Sequence, residues 1–253
     1  MKTKQTTSSN KFKFLSRNSL VSKNDQILLF DFVSKKIKED SNNNTEILLL
    51  LRVLTQSKTA SSNEIKSIFS KKCHELSLNY CLKHDLPQFF IMLTKLIFEI
   101  YPNFKDDENE EKLNSLYILY HCCIIKSNEF SVFLKLKLKN FESKSIQHAI
   151  KIYELIQLQN PIEFFKLYEK SNENEKILME NYLNFIRIQI FNNVSFSYLE
   201  IDFEFLLKIL NFKNKKEIKI WIEKEMKNQK LKKMKDISQI QNDKIIFRII
   251  KKK

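Results

Sequence analysis

The 253-residue chain contains no glycine. Glycine is the residue that enters left-handed backbone without steric cost and lets a main chain approach a phosphate closely. Its absence removes the P-loop, the dinucleotide fingerprint and the nucleophile elbow, each of which needs glycine at fixed places. It also counts against sandwiches and barrels, which turn sharply every few residues. What remains is a fold with few tight turns and long elements, and helices meet that requirement. Three prolines, Pro87, Pro102 and Pro161, are the strong breakers left in the chain. With 43% hydrophobic residues there is apolar surface enough for a packed core.

Apolar residues recur at helical spacing from residue 24 to about residue 195. Ile27, Leu28, Phe30 and Ile37 mark a first helix. Thr45 is placed to cap a second, carrying Ile47, Leu50, Leu51 and Leu54. Ser61 and Glu64 have capping-box spacing ahead of a stripe of Ile65, Ile68, Phe69, Cys73, Leu76 and Tyr80. Asp85 reads as the cap of a helix with Pro87 in its first turn and Phe89, Phe90, Leu93, Ile97 and Ile100 on its apolar face. After Pro102 and an acidic run comes a helix with Leu113, Leu116, Tyr117, Tyr120 and Ile124. Ser127 opens another with Phe130, Phe133 and Leu134, and Ser143 or Ser145 opens one with Ile146, Ala149, Ile150, Tyr153 and Ile156. Asn160-Pro161 is a strong helix start, followed by Phe164, Phe165 and Tyr168; a long helix from Glu175 to Asn192 follows. Consecutive helices joined by short polar links predict antiparallel pairs stacked as a right-handed solenoid of TPR-like units.

Near residue 195 the pattern changes. Tyr198–Ile201 is short and compatible with a strand. Asp202 and Asn214 are placed to cap two helices bearing Phe203, Leu206, Leu207 and Leu210, then Ile218, Trp221, Ile222 and Met226. Ile237 and Ile240 precede the turn signal Asn242-Asp243, after which Ile245, Phe247 and Ile249 alternate with Ile246, Arg248 and Ile250. Strand, helix, helix, hairpin is the winged-helix plan. The sequence therefore predicts a mainly α protein: a flexible basic tail over 1–23, a helical-repeat domain over 24–195, and a winged-helix domain with a small β-hairpin over 196–253.

Charge follows the same division. The net charge is +14; residues 1–23 hold six basic and no acidic residues, and residues 212–253 hold fifteen basic against five acidic. The basicity thus sits at the two ends, and an anionic partner is expected for the C-terminal one. The four cysteines, Cys73, Cys81, Cys122 and Cys123, form no C-x-x-C pair and read as buried reduced thiols, with Cys122 and Cys123 pointing to different sides of a helix. They and the four histidines show no zinc spacing, so no metal or other cofactor is expected. The polar N-terminus and short apolar runs predict a soluble intracellular protein, nuclear or cytoplasmic.

The helical array running into a winged helix resembles a PCI domain, and residues 112–225 resemble the GANP/Sac-type mRNA-export family. The resemblance rests on Leu113 to Tyr120 followed by Asn128-Glu129-Phe130, on His148-Ala149-Ile150, and above all on Asn160-Pro161-Ile162-Glu163-Phe164-Phe165-Lys166-Leu167-Tyr168. Leu178-Met179, Arg187, Ser197-Tyr198 and Ile209-Leu210-Asn211-Phe212 match further positions, with Asn211 where the family carries glycine; upstream, Leu86 to Tyr101 is similar as well. The family motif thus falls on Asn160, Phe164, Phe165, Tyr168, Leu178, Met179, Arg187 and Tyr198.

The resemblance implies a non-catalytic scaffold of a nuclear mRNA-export or mRNA-processing complex. It would pair with a second PCI-domain protein through the winged helix, accept a small acidic disordered protein into the assembly, and offer RNA a basic platform. Lys213, Lys215, Lys216, Lys219, Lys232, Lys233, Lys235 and Arg248 would contact phosphate without reading sequence. Lys213 to Lys219 lie where a helix N-terminus adds its own amides to the attraction. Trp221 is expected in the core or at a partner interface rather than stacked on a base. The alternative is a structural subunit of the proteasome lid or a related PCI complex. No triad, Cys/His pair or tuned carboxylate pair is marked by a motif, so an enzyme is not expected.

Overall fold

The computed structural model describes residues 23–39, 44–56, 68–104, 108–125, 142–227, 239–241 and 244–247. Among these the protein is mainly helical. The elements are α1 (Lys23–Lys38), α2 (Asn44–Gln56), α3 (Ile68–Lys83), α4 (Gln88–Lys95), α5 (Glu108–Tyr120), α6 (Lys144–Gln157), α7 (Pro161–Lys170), α8 (Glu173–Ser197), β1 (Glu200–Asp202), α9 (Phe203–Leu210), α10 (Lys215–Lys227), β2 (Gln239–Gln241) and β3 (Lys244–Ile246). The expected Ser61–Glu64 cap, the helix opened by Ser127, and the Asn242-Asp243 turn lie outside the described residues. The described residues of Met1–Tyr117 and Lys139–Ile146 form one compact unit, and those of Ile118–Leu138 and Gln147–Lys253 a second.

In the first unit α1, α2 and α3 share one core of Leu29, Val33, Ile47, Leu50, Leu51, Leu54, Cys73 and Tyr80. The face of α2 is the expected one. That of α1 is not: Leu29 and Val33, four apart, point inward, while Ile27 and Leu28 are exposed. Two apolar residues beside a third cannot all face one way at 3.6 residues per turn, and the pair spaced by four is the one that repeats. Ile68 of the expected α3 stripe is likewise exposed. The α2 helix begins at Asn44, ahead of the expected cap Thr45, and the Tyr80 hydroxyl donates to Asn44 Oδ1 at 2.7 Å. Lys36 of α1 meets Glu46 of α2 at 2.6 Å. After α4 a π turn, Leu96–Ile100, and a 3₁₀ turn, Tyr101–Asn103, carry the chain past Pro102. The Tyr101 hydroxyl donates to Glu75.

The second unit holds α7, α8 and the C-terminal elements. Asn160 Oδ1 accepts from Glu163 N at 3.2 Å with Pro161 opening α7, as its sequence requires. The long helix α8 starts earlier and ends later than its periodicity suggests. A capping box, in which Asn172 and Glu175 bond each other's backbone N–H at 3.0 Å, extends the start, and the helix runs on to Ser197. From its last turns Phe191 and Val194 join Ile201, Phe203, Leu206, Leu210, Ile218, Trp221, Ile222, Ile245 and Phe247 in one cluster. The three strands are antiparallel in the order β1-β3-β2, with Ile201 opposite Ile245 and Ile240 opposite Ile245. Ile245 and Phe247 are buried on one side of their strand, matching the expected alternation.

The absence of glycine has a visible consequence. Asp85, Gln159 and Asn211 have φ of 50°, 51° and 53°, and each follows the end of a helix. The next residue's N–H reaches back to a carbonyl inside the helix: Leu86 to Cys81 at 2.9 Å, Asn160 to Leu155 at 3.0 Å, Phe212 to Leu207 at 3.1 Å. These are left-handed helix endings of the kind that glycine ordinarily supplies. Asp85 therefore ends α3 instead of capping the next helix; Pro87 stands at the cap of α4, with no side-chain bond to its amides.

His74 is 1% exposed in the first unit. Its Nδ1–H donates to Ser70 O at 2.8 Å and its Nε2 has no partner among the described residues. Burial, reinforced by the charge of Lys95, pulls its pKa down to about 4 from an ordinary 6.5. The folded state therefore resists the proton that the unfolded chain accepts, and stability present above pH 6.5 drains as pH falls toward 4. Denaturant unfolding should show the protein about 2 kcal/mol less stable at pH 5 than at neutrality from this group alone, and His74→Leu should flatten that part of the profile. Gln159 carries the left-handed strain without the compensating polar habit of Asn or Asp. Gln159→Gly should raise stability by about 0.5–1 kcal/mol in thermal unfolding, strain relief outweighing the added chain entropy.

Candidate nucleic-acid interface and the clamp behind it

The sequence places four lysines at the start of α10, and the helix is held there by its own cap. Asn214 Oδ1 accepts from Glu217 N at 2.9 Å, while Glu217 Oε2 accepts from Lys213 N at 3.2 Å and Glu217 Oε1 from Asn214 Nδ2 at 2.7 Å. The Glu217 carboxylate thus takes the Lys213 amide and Asn214 Oδ1 takes the Glu217 amide, at the helix start that was expected to help hold a phosphate. Cationic side chains carry the attraction that remains. Lys213, Lys216 and Lys219 are exposed. Lys219 Nζ stands 5.4 Å from the centre of the Phe203 ring, and Lys215 pairs with Glu204 of α9 at 3.3 Å. Lys232, Lys233, Lys235 and Arg248 lie outside the described residues.

Trp221 is in the core, 8% exposed, edge-on to Phe191 at 5.8 Å. Its Nε1–H donates to Asn184 Oδ1 at 2.6 Å, and Asn184 Nδ2 donates to Glu225 Oε1 at 3.1 Å. The indole is thereby spoken for on its polar edge and packed on its faces, so it offers no surface to a base.

Arg187 of α8 organises the turn between α9 and α10. Its Nε donates to Leu210 O and its Nη2 to Asn211 O, both at 2.8 Å, and its guanidinium lies 3.9 Å over the Phe212 ring. A cation at the C-terminal end of α9 also complements the helix dipole. Burial pulls the Arg187 pKa below its ordinary value against the opposing pull of Glu180. Asn211 Nδ2 adds a bond to Glu169 Oε1 at 3.3 Å.

The other motif residues divide by role. Asn160 caps; Phe164, Phe165, Leu178 and Met179 are buried. The Tyr168 hydroxyl donates to Glu180 Oε2 at 2.6 Å; partial burial pushes its pKa up, and the bond and charge of Glu180 push it further. Tyr198 is half-exposed, its ring 6.3 Å from that of Phe205.

Asn172-x-x-Glu175 is a further capping spacing that the sequence carries ahead of α8, and Glu217 completes the cap that Asn214 signals. Asn184 and Glu225, 41 residues apart, leave no local signal. The same holds for the bond between His148 Nε2 and Ser171 Oγ at 2.8 Å.

The sequence model of the SAC3/GANP family matches residues 46–228. The chain belongs to the SAC3/GANP family. This is a PCI-domain family, as the motif around Asn160 to Tyr168 implied. No curated protein matches the chain. The match runs from α2 to just past α10, so the Arg187 clamp and the capped lysine cluster both fall within it. SAC3/GANP membership implies a scaffold related to mRNA export and gives no support to the proteasome-lid alternative. No helix among the described residues is long and apolar enough to cross a membrane.

Arg187→Ala should strip both carbonyls of a charged donor and lower stability by about 2–3 kcal/mol in denaturant unfolding. Arg187→Lys should recover less than half of the loss, because one ammonium cannot span two carbonyls and stack on a ring at once.

Proposed function

We propose that this SAC3/GANP protein is a non-catalytic scaffold of a nuclear mRNA-export or mRNA-processing complex, whose C-terminal elements act as a winged helix. In this reading the preceding helices are the right-handed solenoid of a PCI protein. The order β1, α9, α10, β2, β3, with β1 paired to β3, is consistent with a winged helix. Through it the protein pairs with a second PCI-domain protein, a small acidic disordered protein joins the assembly, and the basic face meets RNA.

The observation that carries the nucleic-acid part is the exposure of Lys213, Lys216 and Lys219 around the first turns of α10, held by a cap that fixes the backbone while leaving their side chains in water. Lysines on a rigid scaffold release counterions from phosphate and confer affinity without base readout. With the Glu217 carboxylate at the helix start, the amides contribute little and the attraction is almost wholly ionic.

Titration of the full chain, together with its PCI partner, against single-stranded RNA at two salt concentrations tests this. Binding should be weak and indifferent to sequence. Replacing Lys213, Lys216 and Lys219 together with Gln should reduce the slope of log affinity against log salt by about 2, at roughly 0.7 per contact. Binding that ignores salt, or none at low salt, would leave these lysines as a solvated surface. Lys215→Gln should matter less than any of the three, since Glu204 already neutralises it.

A further inference from the structure

Cys122 and Cys123 do not diverge as neighbours on a regular helix do. Consecutive α-helical residues are about 100° apart around the axis, which is why the sequence places these two on different sides. Here α5 continues into a π turn, His121–Ile125, and the two Sγ atoms converge to 3.7 Å. Both are reduced thiols and buried, 3% and 1% exposed. The Cys122 thiol donates to Leu119 O at 3.4 Å. The π turn packs against α8, and burial, with the two sulfurs next in effect, pushes the Tyr182 hydroxyl there up to about 12.

We propose that Cys122 and Cys123 form a two-sulfur chelating site for monosubstituted trivalent arsenicals. The number of donors selects the ligand. Zinc takes four donors, and among the described residues no three His, Cys, Asp or Glu side chains gather as a metal site. An arsenical with one carbon substituent needs two sulfurs and no more. The spacing selects it as well. A linear ion with bonds of about 2.3 Å, the length of zinc–thiolate bonds, would hold its sulfurs about 4.6 Å apart. A pyramidal centre with bonds of similar length near a right angle brings them to roughly 3.3 Å, a smaller change from the 3.7 Å already present. The reaction balances without an oxidant. Two arsenic–sulfur bonds form, the arsenic–oxygen bond of the arsenoxide breaks, and its oxygen leaves as water with both thiol protons. Arsenic stays trivalent throughout.

The other two cysteines are the internal control. Cys73 and Cys81 lie eight residues apart on α3, about 12 Å along its axis. Burial raises both their pKa values, that of Cys73 to about 12.

The probe is phenylarsine oxide on the full chain, read by intact mass. One reagent less one water should add per chain, resist excess monothiol, and leave on addition of a vicinal dithiol. Cys73→Ala/Cys81→Ala should retain this adduct; Cys122→Ala and Cys123→Ala should each reduce its stoichiometry from one to none. Alkylation after denaturation, with the arsenical still bound, gives the same answer without substitution: Cys73 and Cys81 should be labelled, Cys122 and Cys123 protected. No adduct on the wild-type chain, an adduct that monothiol strips, or one that survives loss of Cys122 would each overturn the proposal.

Discussion

The contact on which the C-terminal half turns is the fork of Arg187 on the carbonyls of Leu210 and Asn211. A glycine-free chain has to end its helices with residues that carry a Cβ, and the left-handed conformation then costs more. At Asn211 that cost is met by a residue whose short amide tolerates the conformation and finds Glu169, and by a guanidinium that satisfies the last carbonyls of α9. The same guanidinium lies on Phe212, and Phe212 lies 5.6 Å from Trp221. One cation thus fixes the direction of α9, the turn after it and one wall of the core under α10. Asp85 and Gln159 take the same left-handed conformation at the ends of α3 and α6.

Helix existence was legible in the sequence because the apolar spacing is strong, and the caps at Asn160 and Asn214 were legible because they are local chemistry. Facing was less so. Ile27, Leu28 and Leu29 are equally apolar, and only the neighbours that α1 meets decide that Leu29 goes in. Asp85 shows the limit of reading capping residues: aspartate suits the start of a helix and also tolerates the left-handed end of one. In a chain without glycine the second role has to be filled by someone. The convergence of Cys122 and Cys123 could not be read at all, since a π turn inserts no residue type of its own.

Legibility of the candidate interface was uneven for a physical reason. Charge density is a property of composition, so the basic C-terminal stretch stood out at once. Where that charge is free is a property of geometry. Lys215 is taken up by Glu204, and Glu217 accepts from the Lys213 amide at the helix start, where its charge opposes a phosphate. A capping carboxylate improves a helix start and disfavours an anion there in one stroke, because stability and anion binding draw on the same unsatisfied N–H groups. Exposed lysine side chains escape this competition: their ammonium groups are not the helix-end N–H groups, and the backbone beneath them can be bonded while they remain in water.

The C-terminal core also explains why α8 is so long. Its lower turns pack Phe164 on Tyr182, with ring centres 5.2 Å apart. Its upper turns send Phe191 and Val194 into the cluster with β1, α9, α10 and β3, where Phe191 meets both Trp221 and Phe247. Asn184, between these stretches, joins α8 to α10 through Trp221 and Glu225. Glu225 is 2% exposed, with Oε2 lacking a partner among the described residues. A buried acid half-satisfied in this way is costly, and its one bond comes from the amide that also anchors the tryptophan. The elements from β1 to β3 therefore do not sit at the end of a linker. They close around the last turns of α8, whose earlier turns carry Leu178 and Met179, so one continuous helix links the family-motif residues to the C-terminal core.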